Sequence, residues 1–214
     1  NVSTAVASFT PPLLDGSTGC RRDVDQALVT SSASPPSWVY ASLLEKIQMV
    51  TTSCGRNISY GDITKTNINQ LRKINASIFP VRYHDQFYAD VPDANPDFNQ
   101  FVYVDEVAVG AVCCRIEPRE SPGGHDALYI MTLGVLATWR RRNIGTQLLR
   151  RVLESLPRYP SVGEVYLHVQ INNEDAVAFY KEHGFDVEET IANYYKRIDP
   201  PDCFVLRKRL SRGG

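Results

Sequence analysis

Residues 128–149 constrain the fold of this chain more than any other stretch. They begin with an apolar, β-branched run typical of a buried strand, continue with a basic segment and end in a helical pattern of leucine and valine. A strand that leads through a basic turn into a helix is suited to binding anionic oxygens, because the first-turn N–H groups have no partners inside the helix. The arginines add forked donors for phosphate. Taken alone, the stretch is equally compatible with an ordinary basic loop before a helix.

The composition of the 214-residue chain, with 43% hydrophobic and 22% charged residues, is that of a globular protein. A formal net charge of −1 gives no reason to expect binding to nucleic acid or to a membrane. Cys113 and Cys114 are neighbours and should point to opposite faces of a strand. Since the sequence has no cluster with metal-ligand spacing, we expect no metal site. We also see no signal peptide and no apolar run of membrane-spanning length. We expect reduced thiols in a cytoplasmic protein that is also present in the nucleus.

The composition divides the chain into three parts. Residues 1–56 form an N-terminal extension, mostly of low complexity, with helical spacing of apolar residues at 38–50. That short helix would either dock on the main domain or meet a partner. Residues 57–210 carry alternating strand and helix patterns, which predict one mixed α/β domain. Residues 211–214 are a short tail.

Two motifs resemble the signatures of the GNAT acetyltransferases. The first is Arg140-x-x-Asn143-x-Gly145, where Asn143 occupies a position that is usually glycine in the family. Asparagine tolerates a left-handed backbone better than other residues that carry a Cβ atom, so the turn is expected to form. The second motif runs from Asn173 through Tyr180 to Gly184-Phe185. The resemblance implies the GNAT fold, a mixed, mostly antiparallel sheet of about seven strands flanked by about four helices.

Further segments are similar to the catalytic subunit of NatE, an N-terminal α-acetyltransferase. They include Ile78-Phe79-Pro80-Val81, Leu128-Tyr129-Ile130-Met131 and Asn193-Tyr194-Tyr195-Lys196. The resemblance implies transfer of acetyl from acetyl-CoA to the α-amine of proteins that retain the initiator methionine. The implied partners are nascent or mature protein N-termini, the auxiliary and catalytic subunits of the NatA complex, and the ribosome. A lysine ε-amino acetyltransferase and a largely structural subunit are the alternatives.

The resemblance assigns catalysis to Tyr129 and His168. An α-amine has a pKa near 7.7–8.0, so an unperturbed histidine is a sufficient base, whereas a tyrosine is a poor one. Tyr129 would instead hold a water that passes the proton to His168. Without the resemblance, both residues would be read as ordinary core residues.

The resemblance also assigns cofactor binding to the basic turn, to the strand before it and to the second motif. Asn173 has a second interpretation as a helix N-cap, and Tyr180 would either protonate the leaving thiolate or orient the thioester. The predicted acetyl-CoA site consists of Leu133, Val135, Arg140, Arg141, Arg142, Asn143, Gly145, Thr146, Asn173 and Tyr180.

The predicted peptide site is an apolar slot for a methionine side chain, walled by two aromatic segments. Such walls argue against a cationic acceptor. Without the resemblance, Tyr194 and Tyr195 would be read as a pair at a strand edge. The predicted slot consists of Phe79, Pro80, Val81, Tyr83, Met131, Tyr194, Tyr195 and Ile198.

Overall fold

The strand-forming segments assemble into one eight-stranded sheet. The structure is a computed structural model that describes residues 50–51, 56–118 and 124–211. The sheet order is β1-β2-β3-β4-β5-β6-β8-β7, with only the β5–β6 pair parallel. The strands are β1 (Val50–Thr51), β2 (Asn57–Asp62), β3 (Asn99–Val104), β4 (Val107–Glu117), β5 (Asp126–Val135), β6 (Val162–Gln170), β7 (Asp186–Ile191) and β8 (Cys203–Arg209).

Within the described residues, four α-helices cover the two faces of this sheet. They are α1 (Ile68–Ile78), α2 (Asp85–Asp90), α3 (Ile144–Ser155) and α4 (Glu174–Glu182). The mixed, mostly antiparallel sheet with four helices confirms the predicted fold, β1 being a two-residue addition at one edge. Among the described residues, no helix is long and apolar enough to span a bilayer.

The extension lies almost entirely outside the described residues. The helix predicted at 38–50 does too, except for Val50, which is in β1 and pairs with Ile58. The sheet therefore begins a few residues before position 57, where the sequence places the domain boundary. The division into extension, domain and tail otherwise stays a prediction.

The sheet separates two apolar cores. Leu148 and Leu149 of α3 and Ala176 of α4 pack with Cys114 on one face. Helices α1 and α2 pack on the other face with Cys113, Tyr129 and Met131. The neighbouring cysteines thus point to opposite faces, as predicted, and Cys113, Cys114 and Cys203 are buried free thiols.

Strands β5 and β6 pair over only part of their lengths. Their parallel register runs from Asp126↔Val162 to Tyr129↔Tyr166, whereas β5 continues to Val135 paired with β4 alone. The two central strands therefore separate just beyond Tyr129. Beyond this point, main-chain groups of β5 on the β6 side have no strand partner among the described residues.

Candidate active site

The basic turn after β5 has the backbone that the sequence predicts. Asn143 has φ 63° and ψ 10° and immediately precedes α3, so asparagine supplies the left-handed conformation for which the family usually has glycine. Arg141 also has φ 63°, which the sequence analysis did not anticipate. A left-handed residue other than glycine costs about 1–2 kcal/mol, and such strain is typical of functional sites.

The turn lines a cleft of about 280 Å³ against helix α4. Asn143 makes no side-chain hydrogen bond to the start of α3, so its side chain does not satisfy the first-turn N–H groups. A Cβ atom on Gly145 would come no closer than 3.8 Å to Phe179, so packing does not demand glycine there. The cleft-lining residues are Val135, Trp139, Arg140, Arg141, Asn143, Ile144, Gly145, Thr146, Asp175, Ala178, Phe179 and Glu182. Unsatisfied helical amides and two arginines fit a diphosphate, although Asp175 and Glu182 face them with negative charge.

Two of the predicted arginines make contacts within the protein. The Nε atom of Arg140 donates to the carbonyl oxygen of Val135 at 3.0 Å, which ties the turn to the end of β5. Val135 is itself one of the residues of the predicted acetyl-CoA site. Arg142 lies over the indole of Trp139, 5.3 Å from its ring centroid, rather than among the residues that line the cleft.

The predicted pantetheine residues lie deeper in the fold. Asn173 caps α4, since its Oδ1 atom accepts from the Ala176 amide at 3.2 Å. Leu133 is fully buried in β5. Tyr180 is also fully buried, and its hydroxyl has no hydrogen-bond partner among the described residues. Burial raises the pKa of Tyr180, which keeps this unpartnered hydroxyl protonated and able to donate to a ligand.

The predicted catalytic pair comes together where β5 and β6 separate. The Tyr129 hydroxyl lies 3.2 Å from Nδ1 of His168, although 39 positions separate the two residues in the chain. This contact is direct, whereas the sequence analysis placed a water between the two groups. When the neutral imidazole carries its proton on Nε2, Nδ1 accepts the hydrogen bond from Tyr129.

Burial changes the acid–base chemistry of both groups. It lowers the pKa of His168 to about 4, since imidazolium would lose hydration; Glu117 raises this pKa and Arg207 lowers it. Burial also raises the pKa of Tyr129 well above its ordinary value. At neutral pH both groups are therefore uncharged, and His168 is a weaker base than its ordinary pKa of about 6.5 suggests.

The predicted peptide-binding residues surround this pair. Tyr194 stacks on the imidazole of His168, with ring centroids 4.5 Å apart and an interplanar angle of 14°, and Tyr195 meets Tyr194 edge-on. The Tyr83 hydroxyl is buried without a hydrogen-bond partner among the described residues. The apolar cluster that holds these rings includes Phe79, Val81, Tyr83, Tyr129, Met131, Tyr194, Tyr195 and Ile198. Pro80 borders it in a second cleft, of about 370 Å³, together with Phe79, Val81, Tyr83, Arg72 and Arg82.

Gly134 is a site residue that the sequence analysis did not single out. A Cβ atom at this position would lie 2.9 Å from Cζ of Phe79, so the Phe79 ring rests directly on the backbone of β5. The sequence signal that identifies this position is a glycine inside an apolar strand, because such a glycine often marks the close approach of another element. No group of side chains suited to a metal ion is found among residues 50–51, 56–118 and 124–211.

Comparisons with known proteins agree with this geometry. The sequence model of the Acetyltransferase (GNAT) family matches residues 68–185. N-alpha-acetyltransferase 50 of Danio rerio is 47% identical over 153 residues, or 72% of this chain and 89% of that protein. The probable N-acetyltransferase san of Drosophila melanogaster is 44% identical over 156 residues, or 73% of this chain and 83% of that protein.

A solved structure matches in the same way. Arabidopsis thaliana Naa50, in complex with the bisubstrate analogue CoA-Ac-MVNAL, superposes with a TM-score of 0.65 and 45% identity, covering 71% of this chain and 97% of that one. The cleft, the paired tyrosine and histidine, and these similarities support one conclusion. The chain belongs to the GNAT acetyltransferase family, in the group of N-alpha-acetyltransferases.

Proposed function

We propose that this chain transfers the acetyl group of acetyl-CoA to the α-amine of polypeptides that begin with methionine. The observation that carries the proposal is the contact between Tyr129 and His168, at the point where β5 and β6 separate and within an apolar aromatic cluster. The identity of 45% to a protein solved with a CoA conjugate of the peptide MVNAL supports both substrates.

Acetyl-CoA is a cosubstrate that supplies an activated acetyl thioester. The residues of the turn fit its diphosphate, since Arg141 and the first residues of α3 line the 280 Å³ cleft and the first-turn N–H groups of a helix have no partners inside it. Arg140 holds the turn through Val135 while it lines the same cleft. The separated second half of β5 leads from this cleft toward Tyr129 and Met131, so it is the natural path for the pantetheine arm.

His168 and Tyr129 remove a proton from the acceptor amine. A useful fraction of α-amine is uncharged near neutral pH. Its nitrogen becomes strongly acidic as it bonds to the acetyl carbon, and the C–S bond of the thioester then breaks to release the CoA thiolate. Neutral His168 then receives a proton at Nδ1 through the Tyr129 hydroxyl that contacts it. A lysine amine, with an ordinary pKa of about 10.4, would need a stronger base than a histidine whose pKa is lowered to about 4.

The apolar cluster selects the first residue of the peptide. Phe79, Met131 and Tyr195 are buried within the cluster and offer a methionine side chain an apolar lining. The Tyr83 hydroxyl lacks a partner among the described residues, so it can donate to the peptide backbone. Removing an apolar side chain from such a slot costs about 1–3 kcal/mol per methylene in binding.

A peptide assay tests the proposal. Purified protein is incubated with acetyl-CoA and one of three peptides that differ only at the N-terminus and share an internal lysine. One begins Met-Leu, one begins Ser-Leu, and the third is the Met-Leu peptide with its α-amine already acetylated. We expect a kcat/KM for Met-Leu at least about tenfold above that for Ser-Leu, and no transfer to the pre-acetylated peptide. Equal transfer to lysine, or none to Met-Leu, contradicts the proposal. Tyr129→Phe and His168→Ala serve as active-site controls.

We also propose that the protein works in the cytoplasm and in the nucleus, and associates with the NatA complex and the ribosome. The support is the resemblance of the Phe79, Tyr129 and Tyr194 segments to the catalytic subunit of NatE. Tagged protein should co-purify with the auxiliary and catalytic subunits of NatA from a cell extract, and co-sediment with ribosomes. Recovery of active enzyme free of both subunits from every fraction would contradict this association.

A further inference from the structure

Tyr166 lies directly behind the catalytic pair and has no role in the proposed mechanism. It stands opposite Tyr129 in the parallel register of β5 and β6. The two rings are stacked, with centroids 4.9 Å apart and an interplanar angle of 26°. The Tyr166 ring also meets the imidazole of His168 edge-on, at 5.9 Å. Tyr166 therefore touches both members of the pair.

Glu117 fixes the far end of Tyr166. The Tyr166 hydroxyl donates to Oε2 of Glu117, and the Nε atom of Arg115 donates to the other carboxylate oxygen at 2.8 Å. Arg115 stands opposite Tyr129 in the β4–β5 register, and its guanidinium lies 5.5 Å from the centroid of the Tyr129 ring. Arg115 and Glu117 are two positions apart in β4, so their side chains lie on the same face of the strand, toward the tyrosines.

A second ionic group borders Tyr166 from the opposite side. Arg207 stands opposite Tyr166 in the β6–β8 register, 5.3 Å from its ring centroid, and pairs with Glu164 and Glu188. The charged groups around His168 thus come from β4 and β8, and the uncharged tyrosines from β5, β6 and the loop after β7. Glu117 is the group that raises the pKa of His168, against burial and Arg207, which lower it.

We propose that Tyr166 and Glu117 are positioning residues for the acetyl transfer: Tyr166 braces the Tyr129 ring and the imidazole, and Glu117 anchors the Tyr166 hydroxyl. The inference rests on the proposed function. Its physical basis is that a stacked ring confines Tyr129 to one plane, so that its hydroxyl stays directed at Nδ1 of His168. A hydrogen bond to a carboxylate that is itself paired with an arginine resists rotation of Tyr166 more than a neutral contact would.

Kinetics on two variants test the inference. Tyr166→Phe keeps the ring and removes the anchored hydroxyl, and Glu117→Gln keeps an acceptor and removes the charge. We expect kcat for the Met-Leu peptide to fall about tenfold in both, with the KM for peptide and for acetyl-CoA changed less than about twofold. Glu117→Asp should recover part of the loss. Tyr103→Phe on β3 and Glu189→Gln on β7 are matched controls and should keep the kcat of the unmodified protein.

A histidine titration separates positioning from a merely structural role. In the free enzyme, the NMR signal of His168, assigned from the spectrum of His168→Gln, should titrate at lower pH in Glu117→Gln, because the carboxylate that stabilises the imidazolium is gone. Tyr166→Phe should shift it less, since the carboxylate remains. An unchanged kcat in both variants overturns the inference. It is also overturned if kcat falls only in proportion to a lowered Tm while the pH at which His168 titrates stays the same. An unmodified enzyme that is inactive on every N-terminal peptide overturns the proposed function instead, while the titration still reports on Glu117.

Discussion

At the scale of single residues, burial determines the chemistry of this site. His168 is half-buried among Tyr129, Tyr166 and Tyr194, and burial lowers its pKa to about 4. A histidine with an ordinary pKa would change charge near pH 6.5, within the range where an acetyltransferase works. The aromatic surroundings therefore keep the base in one protonation state across that range.

The pH dependence of the reaction follows from this shift. The lowered pKa keeps His168 neutral at every pH well above about 4, so ionisation of the acceptor α-amine, with a pKa of about 7.7–8.0, is expected to control kcat/KM. A plot of log kcat/KM against pH should rise with a slope of about one from pH 5.5 to 7.5 and level off near pH 8. The measurement is a set of initial rates with a Met-Leu peptide. A second inflection near pH 6.5 would falsify the lowered histidine pKa.

At the scale of single elements, two backbone features shape the site: a turn with left-handed residues and a glycine that a neighbouring ring contacts. The turn before α3 holds Arg141 and Asn143 in left-handed conformations, and β5 carries Gly134 under the ring of Phe79. The first is a local departure from regular structure, whereas Gly134 lies inside a regularly paired strand. Each lies at one proposed substrate site: the turn borders the cleft proposed for the diphosphate, and the Phe79 loop belongs to the apolar slot proposed for methionine.

Substitutions at Asn143 test the role of the turn. Glycine adopts a left-handed backbone freely, so Asn143→Gly should bind acetyl-CoA within about threefold of the unmodified protein. Valine loses about 1–2 kcal/mol there, so Asn143→Val should weaken binding about tenfold. Isothermal titration calorimetry measures both. Glu106→Val is the matched control, since Glu106 has φ 70° in the β3–β4 turn and should leave the affinity unchanged. Equal affinities of the Gly and Val variants would count against the turn as the diphosphate site.

A methyl group at Gly134 tests the contact between β5 and the Phe79 loop. The added Cβ atom in Gly134→Ala would lie 2.9 Å from Phe79 and 3.1 Å from Ile78, so the loop must shift. We expect the KM for the Met-Leu peptide to rise at least about fivefold, while acetyl-CoA affinity changes less than about twofold. Steady-state kinetics and calorimetry measure the two. Gly145→Ala, with only a 3.8 Å contact to Phe179, is the counterpart and should affect acetyl-CoA rather than the peptide.

At the scale of the whole molecule, helix α3 belongs both to the core and to the cleft. The buried face of α3 contributes Ile144, Leu148, Leu149 and Val152 to the core, while its first turn lines the cleft. Because those leucines are fully buried against the sheet, the position of the amides at the start of α3 is set by packing. The proposed diphosphate site therefore depends on the core beneath it.

Truncation of Leu148 tests this dependence. Leu148→Ala should lower the free energy of unfolding by about 2–5 kcal/mol, because it leaves a cavity under a fully buried side chain. Urea denaturation followed by circular dichroism measures the loss, and Arg150→Ala, at an exposed position of the same helix, should change it by less than about 0.5 kcal/mol. A loss below about 1 kcal/mol for Leu148→Ala would show that α3 is not packed as described.

The sequence by itself determined the elements and the local shape of the turn. Apolar periodicity marks β5, α3 and α4 because burial of one face repeats along a segment, and Asn143 marks a left-handed residue because its backbone preference is local. The resemblance to a family carried the choice of Tyr129 and His168, which no local pattern supplies. The role of each predicted site residue stays a prediction.

Only the tertiary structure decided how these residues meet. It ended the β5–β6 pairing at Tyr129, directed Arg142 onto Trp139 and enclosed Tyr180 in the core. It also lowered the pKa of His168 through burial by residues from several strands. Strand separation and desolvation depend on contacts between distant parts of the chain. Periodicity and turn preference depend only on neighbours within a few residues.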